Sequence, residues 1–230
     1  MLDFSEETYR GKTMKKILLV LQCCKRKSDI ELYPNESFDL TSKIPRTKKI
    51  LEDAIKRFSR EGIIDTTSKP ITALSRYNGH FYNHPGLKMR IADEIKHGSC
   101  QFLIISAVYG LVHPFTKIHN YEQQMKGKIT RYWIKRGLPR VLEEFIENGK
   151  YKKVYGFFSK SADYKKIFEE VNWHRIKELK EAGYFYLDGI RGINKTLKLS
   201  AILMLKLIDK NFKEKPHSIK DAEVVLVKTI

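Results

Sequence analysis

A chain of 230 residues, 42% hydrophobic and 11% aromatic, holds enough apolar surface for a packed domain without disulfides or a structural metal, which excludes the disordered and disulfide-scaffold classes. Its 44 Lys and Arg against 27 Asp and Glu leave a net charge of +17, which favours a polyanion; nucleic acid is preferred to a membrane, because no apolar run reaches the ~18 residues of a spanning helix. Three cysteines, two of them adjacent, and no cleavable leader point to a reducing, cytoplasmic setting.

Residues 1–15 are polar and read as an N-terminal arm, ahead of a single domain over residues 16–230. Lys16–Gln22 (KILLVLQ) is a short apolar run of buried-strand character. The stretch CCKRKSDIELYPNESFDLTSKIP, with Pro34 and Pro45, predicts a long loop, and such loops inside domains often carry function. Apolar residues at 50, 51, 54, 55 and 58 space a surface helix over Arg46–Arg60. ITALSRYNGHFYNHPG predicts helix, broken at Gly79 and again at Pro85-Gly86, and Leu87–Lys96 predicts a further helix closed by Gly98. Gln101–Ser106 is a second buried strand. Lys128–Asn148 predicts the longest helix, bent near Gly137 and Pro139 and stopped by Gly149. Lys153–Phe158 is a third strand, and Ser161–Glu170 a helix capped by Ser159 or Ser161. Tyr184–Leu187 is a fourth strand, Ile193–Lys210 an apolar helix, and DAEVVLVKTI an edge strand.

Strands that alternate with helices predict an α/β layered fold with a mostly parallel central sheet flanked by helices. Ligands of such sheets lie beyond the carboxyl ends of the strands. The loops Cys23–Lys27, Ala107–Pro114, Ser159–Tyr164 and Asp188–Gly192 are therefore expected to converge on one face. In the first, Lys25, Arg26 and Lys27 suit phosphate contacts, and cations beside Cys24 would depress its thiol pKa. In the second, Tyr109 offers a stacking face, Gly110 a close backbone approach and Ser106 a polar contact. Arg76, Tyr77, Asn78, His80 and Tyr82 form an aromatic–polar cluster of the kind that reads or holds a base. Ser159 and Ser161 open a helix where an anion can bind, with Arg191 and Lys195 extending a backbone track. Glu122, Asp163 and Ser106 are the candidates for acid–base or nucleophilic work. His80 and His84 lack the H-E-x-x-H glutamate, and there is no P-loop, G-x-G-x-x-G or G-x-S-x-G, so no metal and no cofactor is expected.

VLQCCKRKSD, RYNGHFY, LIISAVYGLVHP, YEQQMKG, FFSKSADYKKIF and DGIRGINKTLKLSAIL, in this order, resemble the YaaA family of peroxide-stress proteins and its broader relatives. The resemblance covers roughly residues 16–205. It implies an α/β fold, DNA binding and a role in limiting oxidative DNA damage. More distant relatives resemble a domain of archaeal tRNA base-modification enzymes, whose fold is akin to uracil-DNA glycosylases. Two departures stand out: Cys24 replaces a Ser or Gly, and GIRGINKTLKL carries Gly-Ile-Asn where a helix-hairpin-helix would carry Gly-Ile-Gly. The expectation is a cytoplasmic nucleic-acid-binding protein, for DNA before tRNA, with a base-accommodating cleft. The alternatives are an enzyme acting on a nucleobase and a small-metabolite binder.

Overall fold

In the computed structural model, which describes residues 17–97 and 100–230, the apolar run Ile17–Gln22 forms strand β1, and its first five residues are buried. A strand without polar alternation has to be covered on both faces, the condition of a parallel sheet interior. The expected N-terminal arm, Lys16 and the helix stop at Gly98 lie outside the described residues.

The long loop after β1 is held by two carboxylates. Glu31 accepts hydrogen bonds from the backbone N–H groups of Tyr33 and Thr72, both at 2.9 Å, and from the hydroxyls of Thr72 (2.8 Å) and Ser75 (2.7 Å). Glu144 accepts from the N–H groups of Arg46 and Thr47, both at 2.8 Å, and from the Thr47 hydroxyl at 2.6 Å. Helix α1 (Lys48–Arg60) starts there, and Thr47 makes no side-chain cap bond. Glu144 thus supplies the acceptor that the helix start needs.

Residues 71–86, expected as helix, are mostly otherwise. After the short strand β2 (Ile64–Asp65), Ile71–Thr72 is strand β3, Ala73–Arg76 is a single turn of helix, α2, and Tyr77 bridges back to Lys27 in antiparallel fashion. The N–H groups of Ala73 and Leu74 are taken by the carbonyls of Thr116 and Pro114. Partners distant in sequence thus overrode a helical apolar spacing. Helix α3 (Leu87–His97) and strand β4 (Cys100–Ser106) follow as expected. The next segment, expected as a loop, is a hairpin: β4 turns at Ala107–Tyr109 into β5 (Gly110–Val112), paired antiparallel to it. Two small strands, β6 (Lys117–Ile118) and β7 (Asn120–Tyr121), pair with β3 and β2.

The long helix divides at Gly137, in the left-handed region at φ 88°, into α4 (Lys128–Arg136) and α5 (Leu138–Gly149). The left-handed stop of α5 is Lys150 and not Gly149. Then come β8 (Lys153–Phe157), a six-residue helix α6 (Tyr164–Glu169), β9 (Glu181–Asp188), which is longer than expected, α7 (Ile193–Asp209), and the strands β10 (Ser218–Ile219) and β11 (Ala222–Lys228). Segment 189–192 follows a strand and not a helix, so no helix-hairpin-helix is built there.

The seven-stranded sheet has the order β10-β11-β9-β8-β1-β4-β5. Strands β9, β8, β1 and β4 are mutually parallel and the outer strands antiparallel. This is the mostly parallel sheet flanked by helices. The tail joins it inside a terminal hairpin, with β10 and not β11 at the edge. From β1 the chain crosses to β4 on one side, then returns to β8 on the other. The connections therefore diverge between β1 and β8, which makes that gap the topological switch point.

Candidate functional site

A cleft of about 560 Å³ opens where the chains leaving β1 and β8 part. Gln22, the last residue of β1, ties the two strand ends together: its Oε1 accepts the Ser159 N–H at 3.2 Å, and its carbonyl accepts the Tyr82 hydroxyl at 2.8 Å. Cys23 continues the ladder by donating its N–H to Ile105 O at 3.0 Å, and its thiol meets the Tyr164 hydroxyl at 3.1 Å. Phe81, Tyr82, Met125 and Tyr164 give the cleft apolar and aromatic surface, and Gln22, His80, Gln124 and Ser159 give it polar groups. Ile193, at the start of α7, also lines it and is 52% exposed. An apolar cleft with a few convergent polar groups is what a flat organic ligand needs.

The SAVYGL segment lies beside this cleft and does not line it. Ser106 is buried, and its Oγ accepts the Tyr109 N–H at 3.1 Å, closing the hairpin turn. The same hydroxyl meets Tyr121 OH at 3.0 Å, which meets Tyr77 OH at 2.9 Å. Burial pushes both tyrosines well above the usual phenol range. The Tyr109 hydroxyl accepts the His119 N–H at 3.0 Å, and burial raises it to about 12. Gly110 has φ 71°, and a Cβ there would stand 2.7 Å from Leu51 and 2.8 Å from Trp133. The Trp133 indole N–H donates to Ala107 O at 2.8 Å. Packing and turn geometry thus engage Ser106, Ala107, Tyr109 and Gly110.

The sequence-selected cations divide. Lys25, Arg26, Arg191 and Lys195 are exposed, with Lys25 at the cleft and the latter two flanking the start of α7. Lys27 is half-buried: its ammonium donates to the carbonyls of Cys24 (2.6 Å) and Lys25 (3.1 Å) and sits 4.2 Å from the Tyr121 ring centre. Burial lowers its pKa. Arg76 is fully buried and holds the Ser28 carbonyl (2.8 Å), the Asp29 carboxylate and the Lys69 carbonyl. Arg76 and Lys27 thus shape the loop that the exposed cations stand on. Asn78 contributes its backbone N–H to Arg26 O at 3.0 Å.

Cys24 corrects an expectation. Its thiol accepts the Gly79 N–H at 3.1 Å and donates to Arg26 O at 3.1 Å. Burial, then the neighbouring Cys23, pushes its pKa up to about 11, where flanking cations were expected to depress it. The Lys27 charge acts in the expected direction and is outweighed.

Asp163 lines the cleft with its carboxylate engaged: Oδ2 accepts from the Gly127 N–H (2.8 Å) and the Thr130 hydroxyl (3.1 Å), and Oδ1 pairs with Lys166 at 2.7 Å. Lys166, and then these bonds, hold it below the usual carboxylate range. Glu122 is exposed and outside the cleft lining. Ser159 and Ser161 line the cleft without capping α6, which begins only at Tyr164. Sequence reading passed over Gln22, Met125, Ile193 and Leu197. A lone amide ending an otherwise apolar strand was the available signal for Gln22.

A family model described as peroxide stress protein YaaA matches residues 30–180, well over half of the chain. The match includes His80–Tyr82, Gln124–Lys126 and Ser159–Tyr164 of the cleft and stops short of Gln22–Lys25 and Ile193. No curated protein matches the chain. Among the described residues, no helix is long and apolar enough to cross a membrane.

Proposed function

The chain belongs to the peroxide stress protein YaaA family, and from that premise we propose that it binds nucleic acid, DNA before tRNA, and seats one base in the switch-point cleft as part of a response to damage. The cleft itself carries this reading. It has ample room for an unpaired base with part of its backbone, its walls are aromatic and apolar, and Lys25, Lys126, Arg191 and Lys195 lie exposed at or beside it. Aromatic and apolar walls give a base about 1–3 kcal/mol of stacking, and the cations give the phosphates their counter-charge. The net charge of +17 brings the polyanion to this face and to others.

A nucleobase-directed enzyme would use the same cleft. Asp163 serves it poorly as a base, because its carboxylate is already engaged and acidified, and Glu122 would have to reach in from outside the lining. Anisotropy with labelled duplex DNA, single-stranded DNA and tRNA at three salt concentrations, followed by a denaturing gel after alkali, separates the readings. Binding with a steep salt slope, intact strands and about a tenfold loss for Ile193→Asp is expected. Alkali-labile breaks would replace the binding module with a glycosidic enzyme. No binding at low salt would leave the small-metabolite binder.

A further inference from the structure

We infer that the exposed face of α4 extends the cleft into a continuous track for single-stranded nucleic acid; this rests on the reading of the cleft given above. α4 begins beside the cleft: Lys126 lines it, and the Gly127 N–H is held by Asp163 of its wall. The other end of α4 reaches a second groove, of about 790 Å³, lined by Tyr132 and Arg136 together with Lys56, Arg57 and Arg60 of α1. The nine residues between span about 13 Å.

Lys128, Arg131 and Lys135 are all exposed, and the spacing i, i+3, i+7 puts them on one face. The helix, KITRYWIKR, contains no carboxylate. Some cations elsewhere are matched, as in Arg46–Glu147, Lys152–Glu178 and Lys160–Asp188. Among the described residues, none of these three has an ion-pair partner, whereas the fourth cation of α4, Arg136, pairs with Asp53 at 3.6 Å. In the groove the Arg57 guanidinium lies 4.7 Å from the centre of the Tyr132 ring, and Asp53 is the one carboxylate in the lining. A row of unmatched cations between two grooves, each with a ring and further cations, suits a flexible chain of phosphates and bases. A duplex is disfavoured, because the path ends in a cleft whose aromatic and apolar walls suit an unpaired base.

The test compares an oligothymidylate trinucleotide with a dodecanucleotide on the full chain, as wild type and as the K128A/R131A/K135A variant. Wild type is expected to bind the longer strand more tightly and with a steeper salt slope. In the variant the gain with length should disappear, the slope for the longer strand should fall by about 2, and the trinucleotide affinity should stay within twofold. An unchanged gain with length in the variant would overturn the track. So would equally tight binding of polyglutamate or of phosphatidylserine vesicles through the same three side chains. Failure of the cleft reading looks different: Ile193→Asp would then leave trinucleotide binding untouched. Circular dichroism and the urea midpoint check that the variant is folded, and a charge-retaining K128R/R131K/K135R chain is expected to restore the gain with length.

Discussion

Gly110 leaves no room for any other residue. Its backbone is left-handed, and Leu51 and Trp133 occupy the space a methyl group would need. Gly110→Ala is expected to cost about 3 kcal/mol from backbone strain and overpacking together, read as a lower urea midpoint at unchanged m. Glu31 gives a prediction in pH. Burial works to raise its pKa, but the bonds from Ser75, Tyr33 and Thr72 outweigh it and bring it to about 2. A depressed carboxylate contributes stability that is fully present above its ordinary value, near ~4.3, and is lost as pH falls through the folded value. Wild type should therefore weaken between pH ~4.3 and about 2 more steeply than Glu31→Gln, which should be less stable at neutral pH by about 2 kcal/mol. Urea unfolding over a pH series reads the difference. Cys24 should alkylate slowly at pH 8 and accelerate only towards pH 11, as mass spectrometry of iodoacetamide-treated native protein would record. A fast reaction at pH 8 would mean that the cations dominate after all. These three residues share a lesson: Leu51 and Trp133 crowd Gly110, Thr72 and Ser75 bond Glu31, and Gly79 bonds Cys24, so distant segments help to govern each of them.

At the scale of elements, α1 depends on a carboxylate nearly a hundred residues away. Glu144→Ala should remove its acceptors, destabilise the fold by about 2 kcal/mol and speed amide exchange at residues 46–50 before exchange in α5. Uniform acceleration would mean that α1 has no separate start. The parallel strands were the legible part of the fold, because continuous apolar runs such as ILLVL and FLII admit few other readings. The hairpin β4–β5 was not, since its second strand is three residues long and its turn is closed by a Ser106 hydroxyl whose role depends on Tyr121. Residues 71–86 failed for a related reason: their apolar spacing fits a helix, while β6 and Lys27 supply ladder partners that no local pattern encodes. Of the cleft, the polar loops after β1 and β8 were readable. The apolar contributors Met125 and Ile193 were not, because an apolar side chain announces burial and not a ligand.

At the scale of the molecule, the charge predicts a measurable signature. Binding to a single strand should weaken with salt at a log–log slope of about −0.7 per neutralised phosphate, so four or five contacts give a slope near −3. A flat response would return the excess of Lys and Arg to simple surface solvation. The position of β1 has a consequence of a different kind, for how the chain is made. Its two neighbours in the sheet are β4 and β8, with Ile17 in register with Cys100 on one side and Lys153 on the other. At roughly 5–20 residues per second on the ribosome, the most apolar strand emerges on the order of ten seconds before its second partner exists. Through that interval ILLVL is an unpaired edge, the kind of segment that holding chaperones shield, and synthesis rate becomes a determinant of how much of this protein reaches its native sheet.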